Sequence, residues 1–398
     1  MSDFDCDILM SGGGVAGLAA AAAFGAAGFS VICVDPAPPV TDRDAEGADL
    51  RSTALLQPAR ALLEETALWD VIAPYATPLE VMRIVDAGGA EAEPRRTKDF
   101  RAAELGDLPF GWNVPNWALR RALVERIETL EGVDFRPGIA TAGLVTRSAA
   151  ALVRLSDGSR VRAKLAIAAD GRASPLRQAA GIGVRTRRYG QKALAFAVTH
   201  PIPHENVSTE VHRTGGPFTL VPLPDRDGLP SSAVVWMDDG AEQVRRMALP
   251  DNAFEAEMSE RSCHLHGPLT LASRRSIWPI ISQQATALTG QRVALMAEAA
   301  HVVPPIGAQG LNMSLADLGS LLSLARKAPE RLGDDAMLDA YARARRADIA
   351  VRVAGIDTLN RVSQASGALM RDARGLGMDL LHDTAPIRRG LMKLGLGV

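Results

Sequence analysis

The sequence predicts an α/β fold in which a Rossmann-like domain carries an inserted, mainly β layer and a helical C-terminal region. A glycine-rich motif lies between an apolar strand and a helix near the N-terminus. Strand-like segments separated by Pro, Gly and Asp turns follow, and a helical pattern begins at Asp334. We therefore predict a first Rossmann-like part at 1–182, an inserted domain at 183–284, a second part at 285–335 and helices at 336–398, with 81–100 as an alternative part of the inserted layer.

Composition excludes several classes of protein. The net charge of −2 over 398 residues and the aromatic content of 4% are not typical of a protein that binds nucleic acid. Cys6, Cys33 and Cys263 are odd in number and far apart, which argues against a disulfide framework or a structural zinc site and predicts no metal. The acidic start MSDFDCD is unlike a signal peptide, so we expect a reducing, cytoplasmic location.

The N-terminal motif predicts a dinucleotide site. Cys6–Met10 is typical of a buried strand, and Gly12, Gly14 and Gly17 then give the spacing GxGxxG. The first glycine permits the tight turn, the second lets a pyrophosphate approach the backbone, and the third allows close helix packing. The following helix begins at Val15 and Ala16, whose N–H groups and helix dipole favour a phosphate.

The stretch from Val15 to Val34 is long enough to cross a membrane, but its Ala and Gly content favours a helix followed by a second buried strand. That strand, Phe29–Val34, leads into Asp35. A carboxylate at this position accepts hydrogen bonds from ribose hydroxyls and disfavours a 2′-phosphate. The ADP moiety of FAD or NAD therefore fits better than that of NADP.

Two later blocks place polar residues after predicted strands. Asp170-Gly171 follows the strand Leu165–Ala169, where an ordinary Asp-Gly turn before a helix is the alternative. Glu298 follows the strand Arg292–Met296, at the end of a strand where ligands bind in open α/β sheets. A Pro-rich loop and a helix that opens near Asn312 come next, and a proline-stiffened loop without a ligand is the alternative there.

Together these blocks resemble the class A flavoprotein monooxygenases, the family of para-hydroxybenzoate hydroxylase. The resemblance implies that the GxGxxG block holds the ADP half of FAD and that Asp170-Gly171 faces both FAD and NAD(P)H. Ala297-Glu298 stands where the family usually has Gly-Asp, whose Asp binds the ribityl chain. Glu298 keeps the acceptor but is one methylene longer.

The same resemblance assigns further residues. Arg51 matches an Arg that reaches the FAD phosphates, and Asn116 matches a polar residue that contacts FAD, although Asn116 could equally be a helix cap. The resemblance implies that Pro304, Pro305 and Gly307 form a stiff wall on the flavin face. It also implies that Gly310, Leu311 and Asn312 offer backbone N–H groups to the flavin N1/O2 edge. No general base is assigned, because a His such as His301 at the start of a Pro-rich loop is more often structural.

Within the family the chain looks most similar to the ubiquinone-biosynthesis hydroxylases, through DLRSTALL, PFGWNVPN, AAHVVPPIGAQGLNMSLAD and the end APIRRGLMKLGLG. The resemblance implies that NAD(P)H reduces FAD, that O2 then gives a C4a-hydroperoxyflavin, and that its oxygen passes to an aromatic polyprenyl phenol. It also implies peripheral contact with the inner membrane and leaves open a complex with other ubiquinone-pathway proteins. The C-terminal helix is one candidate for the membrane contact, and a packed terminal helix with solvated charges is the alternative.

Three alternatives stay open at the level of sequence. A hydroxylase of a soluble aromatic acid would need a cation in its pocket, for which Arg213 is a candidate. A flavin reductase of the same fold would saturate isoprenoid double bonds without consuming O2 in step with product. A non-catalytic partner protein with the FAD fold would bind FAD poorly, and Ala297-Glu298 is the feature that points to it.

Overall fold

The computed structural model describes residues 4–87, 92–213, 215–364, 379 and 382–397, so 365–378, 380–381 and 398 of the predicted helical region lie outside the described residues. In chain order the strands are β1 (Cys6–Ser11), β2 (Val31–Asp35), β3 (Ser52–Leu56), β4 (Thr77–Leu79), β5 (Val81–Asp86), β6 (Arg96–Arg101), β7 (Gly111–Pro115), β8 (Val133–Pro137), β9 (Thr141–Thr146), β10 (Ala151–Leu155), β11 (Arg160–Ala168), β12 (Val184–Thr199), β13 (Val207–His212), β14 (Pro217–Arg226), β15 (Leu229–Asp239), β16 (Thr270–Leu271), β17 (Ser276–Ala285), β18 (Thr289–Gly290), β19 (Val293–Leu295) and β20 (His301–Val302). The helices are α1 (Val15–Ala26), α2 (Gln57–Glu65), α3 (Trp69–Ile72), α4 (Asn116–Glu128), α5 (Pro175–Ala179), α6 (Gly240–Met247), α7 (Asp251–Arg261), α8 (Gln309–Lys327), α9 (Asp335–Gln364) and α10 (Ala385–Leu396).

The first sheet is built around the N-terminal strand. Its main order is β18-β19-β11-β1-β2-β8, and β10 and β9 extend it from β11. The pairs β1–β2, β1–β11, β2–β8 and β11–β19 are parallel, which requires crossover connections such as α1. The small residues of α1 are almost wholly buried, because a helix that is apolar on every side packs between other layers. The stretch from 15 to 34 thus divides into a helix and a strand, as predicted.

The second sheet is mainly antiparallel and forms a separate layer. Its order is β20-β17-β12-β15-β14-β13-β5-β6, with β16 added on β12. Strands β5 and β6, from the segment 81–101, therefore belong to the same sheet as the strands between 184 and 285. One face of this sheet is buried in a cluster rich in aromatic residues, to which the strands contribute Phe196, Phe218 and Trp236 and α7 contributes Phe254.

Remaining elements join the two layers. The strands β3, β7 and β4 form a small sheet, and α8 packs against α2 and α9. Helix α8 begins at Gln309, three residues before the predicted opening near Asn312. These elements confirm the predicted fold class of an α/β nucleotide-binding domain with extensive β structure. The carboxyl ends of the parallel strands face the second sheet across a large cavity.

Candidate active site

A cavity of about 2060 Å³ lies between the two sheets. It is larger than the roughly 300–1,000 Å³ of an ordinary small-molecule pocket, so it has room for a dinucleotide and a substrate together. Most of the predicted site residues line it: Gly12, Gly14, Val15, Ala16, Asp35, Arg51, Asn116, Asp170, Gly171, Glu298, His301, Pro304, Pro305, Gly307, Gly310 and Leu311. Gly17 and Asn312 are the predicted residues that do not line it.

The glycines of the first turn have different tasks in the structure. Gly12 has a φ of +112°, and a Cβ there would lie 2.4 Å from the Ala169 carbonyl oxygen. A Cβ on Gly17 would lie 1.9 Å from the Gly12 oxygen, so this glycine lets α1 approach the turn. Gly14 lines the cavity and has no heavy atom within 4 Å of its ideal Cβ position. The open space therefore lies on the ligand side of the turn.

The N-terminus of α1 suits an anion. Its N-cap residue, Gly14, makes no side-chain cap hydrogen bond, and the first turn contains no acidic residue. The first N–H groups of a helix have no intrahelical acceptor, and they lie at the positive end of the helix dipole. The turn and the helix thus fit the pyrophosphate of a dinucleotide such as FAD.

Asp35 is fixed at the end of β2. Its Oδ2 accepts a hydrogen bond of 2.6 Å from the Gly13 N–H, and its Oδ1 accepts one of 2.9 Å from the Ala37 N–H. Because both carboxylate oxygens are oriented by the backbone, the group is held at the edge of the cavity. This placement fits the predicted contact with ribose hydroxyls.

Asp170 holds a tight turn after β11. It accepts hydrogen bonds from Ser11 Oγ at 3.0 Å, from the Leu176 N–H at 3.0 Å and from the Ser174 hydroxyl. Gly171 follows with a φ of +81°, which favours glycine. Asp170 therefore holds the turn and also lines the cavity.

Arg177 connects that turn to the third block. Its Nη1 donates a hydrogen bond of 2.9 Å to the Ala299 carbonyl, and burial lowers the pKa of its guanidinium. The block after β11 and the block after β19 are therefore joined by a buried side chain.

Arg51 and Asn116 meet at a residue that motif analysis had not assigned. Arg51 Nε and Nη2 donate to the two oxygens of Asp49 at 2.8 and 2.7 Å, and Asn116 Nδ2 donates to Asp49 Oδ2 at 3.0 Å. Burial opposes the charge of Asp49, but the bound Arg51 guanidinium keeps the pKa of this carboxyl below its ordinary value. The Arg51 guanidinium also lies 5.5 Å from the centre of the Trp278 ring. Asp49 thus orients both predicted FAD contacts.

Glu298 and His301 follow β19 with different surroundings. Glu298 is exposed and lines the cavity, so its carboxylate is accessible to a ligand. His301 is buried, and its Nε2 lies 2.7 Å from Asp317 Oδ2. The same Asp317 accepts hydrogen bonds from Arg345 Nε at 2.7 Å and from the Ala297 N–H at 3.1 Å. These contacts support a structural role for His301.

The Pro-rich loop is tied to the C-terminal helices. Gln309 Nε2 donates to the carbonyl oxygens of Gly307 and Gly395 at 2.8 and 3.1 Å, and Arg352 Nη1 donates to Gln309 Oε1 at 2.5 Å. One side chain therefore links the loop, α9 and α10. The sequence did not predict the contact between Gln309 and Arg352, because the residues are 43 positions apart.

Gly310 and Leu311 lie in the first turn of α8, so their N–H groups have no intrahelical acceptor. Both residues line the cavity. Asn312 is the fourth residue of the helix. Its side chain donates to the Ala54 carbonyl at 2.7 Å and accepts from the Leu56 N–H at 2.9 Å. Asn312 thus fastens α8 to β3, whereas the two residues before it face the cavity.

Comparisons with known proteins agree with this geometry. A family model described as FAD binding domain matches residues 5–354. The chain is 32% identical to ubiquinone hydroxylase UbiL of Rhodospirillum rubrum, over 100% of this chain and 90% of that protein. It is 27% identical to 3-demethoxyubiquinol 3-hydroxylase of Escherichia coli, with 100% of both chains covered.

Solved structures share the fold. The crystal structure of p-nitrophenol 4-monooxygenase PnpA from Pseudomonas putida matches with a TM-score of 0.80 and 20% identity, over 98% of both chains. A ternary complex of aklavinone-11 hydroxylase with FAD and aklavinone matches with a TM-score of 0.71 and 20% identity, over 93% of this chain and 71% of that chain. The chain therefore belongs to the FAD-binding-domain family, and it is a FAD-dependent monooxygenase homologous to ubiquinone hydroxylases.

Proposed function

We propose that this monooxygenase uses NAD(P)H and O2 to hydroxylate the aromatic ring of a polyprenyl phenol in ubiquinone biosynthesis. The observation that carries the proposal is the continuity of the cavity. It runs from the glycine turn of the first sheet, along one face of the second sheet, to the apolar residues of α9 and α10. A dinucleotide, a ring and an isoprenoid chain can therefore occupy one connected space. The ubiquinone hydroxylases among the relatives support the same class of substrate.

Bound FAD supplies the redox chemistry that activates O2, and the residues of this chain supply position and exclude water. Gly14 and the N-terminus of α1 would hold the pyrophosphate, Asp35 the ribose, and Glu298 the ribityl chain. Gly310 and Leu311 would direct N–H groups at the flavin ring edge, where negative charge develops on reduction. The loop containing Pro304, Pro305 and Gly307 would close one side of the reactive space.

The C-terminal helices form an apolar rim at the cavity. Val351 and Leu359 of α9 and Leu391 and Leu394 of α10 all line it, and their exposures of 62%, 58%, 41% and 67% are high for apolar side chains. Ile387, Leu391 and Leu394 share one face of α10, and Arg389 and Lys393 beside them are exposed. Such a face fits the surface of an anionic bilayer. We therefore propose peripheral membrane contact here, where the isoprenoid chain would enter.

No helix within the described ranges has the length and apolar content needed to cross a bilayer.

A soluble aromatic acid, the alternative substrate class, was expected to bind to Arg213. Arg213 does not line the cavity, and its Nη1 lies 3.0 Å from Glu260 Oε1 on another surface. The hypothesis that Arg213 holds a substrate carboxylate is therefore wrong in this fold. Its position at the end of β13, one residue after the cavity-lining His212, turns the side chain away from the cavity.

The test begins with the purified protein. We expect a yellow protein whose released cofactor is FAD in near-equal amount, and consumption of NAD(P)H and O2 that matches hydroxylated product from a short-chain prenylated phenol. 4-Hydroxybenzoate serves as the soluble acid for comparison. Faster coupled turnover of 4-hydroxybenzoate, or product formed from the phenol without O2 uptake, would overturn the proposal.

A further inference from the structure

One wall of the cavity carries a short series of polar groups. Ser208, Glu210 and His212 alternate along β13 and all line the cavity, whereas the intervening Thr209 and Val211 are fully buried on the other face. The period of two in the sequence STEVH is the local signal for this arrangement. The three side chains therefore project from the second sheet into the cavity.

Glu210 and His212 form a pair within this series. His212 Nε2 lies 2.6 Å from Glu210 Oε1, and the side chains are 14% and 22% exposed. His212 Nδ1 is buried and has no hydrogen-bond partner among the described residues. The Nε2 side of the ring therefore faces Glu210, and a proton on Nε2 is donated to the carboxylate oxygen. His212 thus fixes the carboxylate, and the exposed part of Glu210 remains open to the cavity.

The same wall has an acidic character. In the strand register Asp86 of β5 lies opposite His212, and both line the cavity. The arginines that line the cavity are Arg51, Arg120, Arg172 and Arg352, and none of these belongs to the second sheet. The ionisable groups that the described part of this sheet presents to the cavity are therefore the carboxylates of Asp86 and Glu210 and the histidines His212 and His301.

We propose, on the basis of the function above, that Glu210 accepts the hydrogen bond of the substrate's phenolic hydroxyl and selects neutral phenols over aromatic acids. His212 is a positioning residue, because it acts through Glu210. A hydroxyl donates to the carboxylate, and a charged acceptor strengthens that bond. A carboxylate on the substrate ring meets like charge in a partly desolvated cavity, which opposes its binding.

Binding to the FAD-loaded enzyme tests this directly. The probes are 4-nitrophenol, whose absorbance reports its own ionisation, and 4-hydroxybenzoate. Beside Glu210 we expect the pKa of bound 4-nitrophenol to lie above its value in water, because a neighbouring negative charge disfavours the phenolate. Glu210→Gln should lower that pKa, weaken binding of the neutral phenol about 10- to 100-fold, and tighten binding of 4-hydroxybenzoate.

Two further variants complete the design. His212→Asn should lower the pKa of bound 4-nitrophenol by a smaller amount than Glu210→Gln does, because Glu210 remains but is no longer held by His212. Glu260→Gln makes the same chemical change outside the cavity, where Glu260 pairs with Arg213. It should change neither the affinity of either probe nor the pKa of bound 4-nitrophenol. FAD content and circular dichroism establish that each variant is folded.

The inference is overturned if Glu210→Gln leaves the ionisation of bound 4-nitrophenol and the ratio of the two affinities as in the unmodified enzyme. It is also overturned if Glu260→Gln produces the same shifts. Coupled hydroxylation by the unmodified enzyme is scored separately. If the unmodified enzyme does not hydroxylate the phenol but Glu210→Gln still changes binding as expected, only the proposed function is rejected. If the unmodified enzyme hydroxylates the phenol but Glu210→Gln does not change binding, only the role of Glu210 is rejected.

Discussion

At the scale of single residues, Ala297 shows how this chain departs from its family. It has a φ of 55°, in the left-handed region that favours glycine, and it stands where the family usually has Gly. Its N–H donates to Asp317 Oδ2 at 3.1 Å, and Asp317 is in turn held by His301 and Arg345. The surrounding structure therefore imposes a conformation that alanine adopts at a cost of about 1–2 kcal/mol.

This strain predicts the relative effect of two matched substitutions. Ala297→Gly and Ala299→Gly each remove one buried methyl group and add the same backbone freedom to the unfolded chain. Only the first relieves a left-handed alanine, so we expect it to be less destabilising than the second by about 1–2 kcal/mol. Urea unfolding of both variants measures this difference. Equal losses of unfolding free energy would show that Ala297 is not strained.

At the scale of elements, the unit formed by β1, its glycine turn and α1 separates folding from cofactor binding. Gly12 and Gly17 are required by the protein's own atoms, since their Cβ positions are occupied by backbone. Gly14 faces open space with a φ of −71°, which any residue can adopt. The motif spacing is the same for all three glycines, but the physical demand on each is different.

We predict that Gly17→Ala lowers both stability and FAD content. Its methyl would overlap the Gly12 oxygen and force α1 away from the turn, at a cost of roughly 1–3 kcal/mol. Gly14→Ala should leave the unfolding free energy of the FAD-free protein within about 0.5 kcal/mol but weaken FAD binding at least tenfold, because its methyl points into the cavity. Thermal melts of the FAD-free protein and fluorescence titration with FAD measure the two effects. Unchanged FAD affinity in Gly14→Ala would contradict the placement of the pyrophosphate.

At the scale of the whole molecule, the two sheets and the C-terminal helices form a single apolar cavity with charged groups at defined places. Arg51 and Glu298 are on the side of the first sheet, Glu210 is on the second, and Leu391 and Leu394 are at the rim. No single element contains this arrangement. Because the rim is apolar and exposed, we expect it to take up the isoprenoid chain of the substrate.

The cavity therefore predicts a dependence on chain length. The value of kcat/KM should rise at least tenfold with the first one or two isoprene units, because a fully buried methylene contributes about 0.8 kcal/mol and a tenfold change needs only about 1.4 kcal/mol. It should level off once the chain extends beyond the cavity. Leu394→Ser should reduce that rise for long chains and leave short phenols unaffected. Leu229→Ser is the matched control, since Leu229 is 49% exposed and does not line the cavity. Steady-state kinetics with a prenyl series decides the matter, and a flat series would contradict an isoprenoid path.

Local sequence predicted the parts of the site that are contiguous in the chain. The glycine turn, Asp35 at the end of β2 and Glu298 after β19 all follow from strand, turn and helix patterns, which act over a few residues. The contact of Asp49 with Asn116 was not predicted, because Asn116 is 67 positions away from Asp49. The helix α8 was predicted to open near Asn312 but begins at Gln309. Ala308 precedes it in a left-handed conformation and provides no capping side chain, so the usual sequence signal for a helix start is missing.

The sequence by itself determined the α/β class and FAD as the cofactor, because a dinucleotide motif is a local structure whose glycines, helix terminus and acidic residue have fixed spacing. Only the tertiary structure decided which side of the second sheet faces the flavin domain, and hence that Glu210 and His212 line the cavity while Arg213 does not. It also decided that His301 is bound to a buried Asp317. The physical reason is that strand register and layer packing bring together residues far apart in the chain, and no local pattern encodes these distances.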